Sequence, residues 1–263
     1  MEASAQPNLN SARHKLERAK ILLGEMTNTT QLFYGSRPYD VAIVDNKKTG
    51  LREWQVVSVR EIPAELQTQA GDVIHNLRTA LDHLNYALIL SNGVDPGRAT
   101  EFPIFKDAES YANGVLQKTR GMSSEHIATI TGLAPYEGGN NSLWLIHKLD
   151  ITDKHHFMLS ISANHQAVVV DLGAHFRKAF ADEPGMEWTQ DTPSVQIGLV
   201  PDDKVVISEG VVLFSTPSGD TSHDDTQFDI QLAFNVDGIV HSEPLIPTLT
   251  RLAECVEDVL AHF

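Results

Sequence analysis

The chain has 263 residues, 41% hydrophobic and 21% charged, with a formal net charge of −15 and a single cysteine. That length and balance suit a globular protein with a substantial core, and the lone Cys255 excludes an internal disulfide and a cysteine-rich zinc site. No stretch reaches the ~20 apolar residues that span a bilayer, and the polar opening MEASAQPNLNSARHKLERAK lacks the apolar core of a secretory signal. A bacterial-type cytoplasmic protein without membrane association is the expectation.

Residues 9–33 read as a first helix, with Leu16, Ala19, Leu22 and Leu23 at helical spacing. The following YDVAIVDNKKTGLREWQVVSV reads as a β-hairpin over 40–59, two β-branched runs around a turn of Asn, Lys and Gly. Pro63 then opens a long amphipathic helix whose stripe is Leu66, Ala70, Val73, Leu77, Leu81, Leu84 and Leu88, ended by the turn residues SNGVDPGR. Shorter helices are predicted over 107–119 and 123–132, the second opening on Ser123 with Glu125 in its first turn. After the loop PYEGGNNS, Asn141 or Ser142 can cap a helix running to about Ser162.

Beyond that point the period changes from helical to alternating. QAVVVDL, SVQIGLV, VVLFST and FDIQLAFNV read as strands, the last with Phe228, Ile230, Leu232, Phe234 and Val236 on one face. Ser242 is expected to cap a last helix with Pro244 in its first turn and Leu245, Leu249, Leu252, Val256, Val259 and Phe263 along one side. The sum is one α+β unit over 1–263, a helical bundle packed with a mostly antiparallel sheet. Its helical part covers about 1–163, its β-rich part about 164–241 and its return helix 243–263.

The charge is unevenly placed. Residues 1–58 hold eight basic and six acidic side chains, 59–163 eight and twelve, and 164–263 four and seventeen. The last third therefore repels nucleic acid and suits a basic protein partner, whereas RNA or a phosphate-containing ligand would dock on the first two thirds.

Two predicted helices carry ionisable groups among their apolar positions. In and just beyond IHNLRTALDH, Arg78, Asp82, His75 and Tyr86 share an arc beside the leucine stripe, with Arg78 and Asp82 at salt-bridge spacing and His83 on the other side. In NSLWLIHKLDITDKHHFMLSIS, His147, Asp150, Asp153 and Lys154 interleave with the apolar face marked by Ile146, Phe157 and Ile161. Buried charges need partners. The two helices are therefore expected to dock, Arg78 and His75 meeting Asp150 or Asp153, and Lys154 meeting Asp82. Such a seam is either structural or a site.

Arg78 and His83 form R-x-x-x-x-H, which resembles the signature of HEPN-type (higher eukaryotes and prokaryotes nucleotide-binding) domains. That resemblance implies a metal-independent endoribonuclease. Arg78 would stabilise phosphate charge, His83 would serve as general acid or base with Asp82 orienting, and the site would form between two subunits of a homodimer. On a straight helix the two side chains lie ~140° apart, so sharing one phosphate takes a kink or the second subunit. The longer pattern GDVIHNLRTALDHL with LIHKLDITDKHH also resembles bacterial proteins of unknown function, which implies no activity.

His75, His147, Asp150 and His155 are the best candidates for a metal set, but the chain has no H-E-x-x-H, no helical E-x-x-H pair and no cysteine ligands, so no metal or other cofactor is expected. It also lacks a phosphate-binding G-x-x-x-x-G-K-[ST] loop and a G-x-S-x-G elbow. SHDD at 222–225 reads as a solvated hairpin end, and Trp54, Trp144 and Trp188 read as core or interface residues. The alternative to the ribonuclease is a non-catalytic scaffold that binds a protein or small ligand. In that case His75, His147, Asp150, Asp153 and Lys154 serve as structural glue.

Overall fold

Seven apolar residues stepping by three and four along one helix should all face inward, and they do. In α2 (Ala64–Leu90) Leu66, Ala70, Val73, Leu77, Leu81, Leu84 and Leu88 are completely buried. Pro63 precedes it with extended geometry, suited to the position before a first turn. Each buried leucine contributes about 1.5–3 kcal/mol, which makes α2 the central element of the helical part. The computed structural model describes residues 7–97, 100–155, 158–171, 196–199, 205–221, 223–224 and 226–263. Phe157 and Trp188, and parts of SVQIGLV and SHDD, lie outside the described residues.

The architecture is α+β, and the chain gathers into two compact units. The first comprises 1–31, 63–160 and 235–263, the second 32–62 and 161–234. In the first, α1 (Asn10–Gly35) buries Ala12, Leu16, Ala19, Leu22 and Met26, and Leu9 just before it is buried too. Its Ser11, Lys15 and Thr29 bond to His83, Asn76 and Gln69 of α2, so the two helices run antiparallel. Next come α3 (Ala108–Lys118) and α4 (Ser124–Gly132), capped by Asp107 and Ser123, whose side chains accept from the amides of Ser110 and His126. The set is completed by α5 (Asn141–His155) and α6 (Leu245–Ala261), both packed on α2.

The second unit is built from antiparallel strands. β1 (Tyr39–Asn46) and β2 (Leu51–Val59) form the predicted hairpin, and β5 (Val212–Pro217) joins β2 to give the order β1-β2-β5. β3 (Ile161–Asp171) lies between β4 (Gln196–Leu199) and β6 (Gln227–Val236). Trp54, Val56, Leu232 and Phe234 are buried here, with the Trp54 and Phe214 rings 5.2 Å apart. Among the described residues no helix is long and apolar enough to cross a membrane.

Three boundaries differ from the sequence expectation. Helix α5 stops at His155 instead of Ser162, and Ile161 opens a strand, because Ile161, Ala163 and His165 pair with Phe234, Leu232 and Ile230 of β6. Sheet partners override the local helical pattern there. The helix is capped by Asn140, whose side-chain oxygen accepts from the Leu143 amide, not by Asn141 or Ser142. Ser242 is not the N-cap of the last helix, a position that Pro244 takes. Ser242 lies in a short strand, β7 (Val240–Pro244), at φ 56°, and α6 begins only after Pro244.

Candidate functional site

Helix α2 places Arg78, Asp82 and Asn85 at i, i+4 and i+7, hence on one face. They face Glu101 and Phe102, main chain with no strand neighbour to satisfy it. Arg78 Nη2 donates to the Phe102 carbonyl at 3.1 Å and to Asp82 Oδ1 at 2.9 Å. Asp82 Oδ1 in turn accepts from the Phe102 amide at 2.8 Å. Asn85 Nδ2 donates to the carbonyls of Glu101 at 3.0 Å and Lys118 at 3.4 Å. Both backbone groups of Phe102 are thus held by one Arg–Asp pair, and the Phe102 and Ile104 side chains are buried. Buried peptide groups outside a sheet need such partners. The Arg78 side chain is only 4% exposed. Burial raises the Asp82 pKa, and the Arg78 charge and the Phe102 amide oppose that rise.

Across the seam, Asp150 is buried on α5 with both carboxylate oxygens engaged. His75 Nδ1 lies 3.2 Å from Oδ1, and Lys154 Nζ donates to Oδ2 at 2.8 Å. One expected cross-helix pair therefore forms, His75 with Asp150. The others do not. Arg78 meets neither Asp150 nor Asp153 but bonds Asp82, and Lys154 meets Asp150 instead of Asp82. In both cases a partner one turn away on the same helix competes successfully with one across the interface.

Asp153 sits against Gly71 of α2. A Cβ there would lie 2.6 Å from both carboxylate oxygens. The glycine thus lets the carboxylate approach the α2 backbone, and burial raises the Asp153 pKa, with Asp150 and Asp72 adding to it. Nearby, burial, reinforced by the Arg78 and Lys118 charges, pulls His147 from 6.5 down to about 4. It is neutral at physiological pH, unsuited to neutralising a phosphate.

His83 faces elsewhere. Its Nδ1 is 2.8 Å from Ser11 Oγ of α1, and it lines a cavity of about 770 Å³ with Ser11, His14, Asp82, Tyr86 and Leu90. Arg78 is not on that wall. The structure thus brings Asp82 and His83 to one cavity and Arg78 to its edge only through Asp82. His75, His147, Asp150, Asp153 and Lys154 belong to the seam with α5. Asp82 is common to the backbone clamp and the cavity.

Sequence reasoning missed Asn85 and the α1 wall of the cavity, Ser11 and His14. It also missed Leu90, although a signal existed: Tyr86 and Leu90 lie at i, i+4 off the buried stripe and are 43% and 55% exposed. Among the described residues no group of three or more His, Cys, Asp or Glu is placed to hold a metal ion, including around His75, His147, Asp150 and His155. No family model, curated protein or solved structure matches this chain.

Proposed function

We propose that the protein is a non-catalytic binding module whose cavity between α1 and α2 receives a small ligand, and whose polar helix seam is structural. The observation that carries this reading is the Arg78 guanidinium, which is sealed from solvent and bonded to Asp82 and the Phe102 carbonyl. A phosphate-binding arginine needs an open fork to offer. The cavity supports the binding half: about 770 Å³ is the size of pockets that enclose small molecules, and its wall mixes exposed apolar groups with a few polar ones. The single Cys255, whose thiol pKa is raised by burial, suits a reducing compartment, and we place the protein in the cytoplasm.

The test uses the full chain and a neutral apolar probe, N-phenyl-1-naphthylamine, followed by fluorescence. The wild type is expected to bind it saturably, and L90D to lose that binding while keeping its circular dichroism. RNA incubated with the same protein is expected to stay intact. Absence of probe binding, or RNA cleavage that disappears in folded R78A and H83A variants, would overturn the reading.

A further inference from the structure

The two walls of the α1–α2 cavity differ in chemistry. On α2, Tyr86, Ala87 and Leu90 offer an apolar surface, with Tyr86 and Leu90 left largely exposed. On the opposite side stand Asn8, Ser11 and His14, with His83 completing the polar wall. Ser11 Oγ and His83 Nδ1 are 2.8 Å apart, and the tautomer in which Ser11 donates leaves the ring proton on Nε2, a donor for the cavity. Asn8 accepts from the Asn10 amide through Oδ1, which leaves its side-chain NH₂ to donate. His83 and Asn8 thus each offer the cavity a donor.

Charge points the same way. Residues 10–20 of α1 contain Arg13, Lys15, Arg18 and Lys20 against the single acid Glu17, in a chain whose net charge is −15. The acid on the cavity wall, Asp82, is already bonded to Arg78 and the Phe102 amide. Resting on the reading of this cavity as a ligand site, we infer that its ligand is an amphipathic organic anion. Its flat apolar body lies against Tyr86 and Leu90, and its carboxylate or sulfonate head accepts hydrogen bonds from His83 and Asn8. A neutral apolar compound would use the α2 wall alone.

Two naphthylamine dyes separate the parts of this inference. 1-Anilinonaphthalene-8-sulfonate carries an anionic head on the same kind of aromatic body that N-phenyl-1-naphthylamine presents without one. The full chain should bind the sulfonate more tightly. H83A should weaken the sulfonate about tenfold, the loss of one charge-assisted hydrogen bond, and the neutral dye much less. H83Q, which keeps a donor, should recover most of the difference, and circular dichroism confirms that both variants fold. Failure of both dyes to bind refutes the cavity as a ligand site. Saturable binding of both with equal affinity, or an H83A loss equal for the two, keeps the cavity and refutes the anionic class.

Discussion

Arg78, Asp82 and Asn85 answer a backbone need. The Phe102 amide has no ladder partner, and an unpaired buried peptide group costs about 1–3 kcal/mol, so Asp82 of α2 stands in, while Arg78 adds a second bond to a Phe102 carbonyl that also accepts from the Ile104 amide at 2.9 Å. Whereas Asn85 was not singled out, the positions of Arg78 and Asp82 were legible from their place beside the leucine stripe. Their partners were not, because a main-chain carbonyl leaves no mark in the residue types of Glu101 or Phe102. His147 supplies a pH signature at the same scale. Its native pKa of about 4 lies below the unfolded 6.5, so between those values the unfolded chain binds more protons. Stability is full above pH 6.5 and falls as pH drops toward 4. The raised Asp82 and Asp153 act oppositely, and in the carboxylate range. Denaturant melts at pH 7 and pH 5 should show the wild type losing about 1 kcal/mol more than H147Q, once solvent screening at this half-buried site is allowed for. Equal losses would remove His147 as the cause.

Helices α2 and α5 dock through a small set of polar contacts on an apolar seam. That they would meet was legible from complementary charges at helical spacing. The pairing was only partly so, since the i,i+4 pairs Arg78–Asp82 and Lys154–Asp150 satisfy two charges within their own helices. The contact at Gly71 was invisible in advance, because periodicity does not report how closely two backbones approach. It makes a sharp test. Gly→Ala inside a helix ordinarily stabilises by about 1 kcal/mol. G71A should instead be neutral or destabilising, because its methyl meets the Asp153 carboxylate. In a D153A background the ordinary gain should return, a coupling of about 1 kcal/mol or more in a double-mutant cycle. Additive effects would mean that the carboxylate does not lie against Gly71.

For the whole molecule, the α+β class and most elements follow from local periodicity, but the division into units does not. The chain enters the second unit twice, over 32–62 and 161–234, and joins them through pairs such as Leu51 with Pro217. Such long-range register is absent from any short window of sequence. The early end of α5 escaped for the same reason, since Ile161 of β3 pairs with the distant Phe234 of β6. The cavity likewise needs α1 and α2 side by side before Ser11 and His83 become neighbours.

The measurement that bears most directly on this account is the urea unfolding free energy of the full chain with and without Arg78. If the α2 cluster clamps the Phe102 backbone, R78A should lose about 3–5 kcal/mol, as removal of one partner from a buried charged pair does, while H83A stays within about 1 kcal/mol of the wild type. An R78A protein as stable as the wild type would contradict the clamp and return Arg78 to consideration as a group held ready for chemistry.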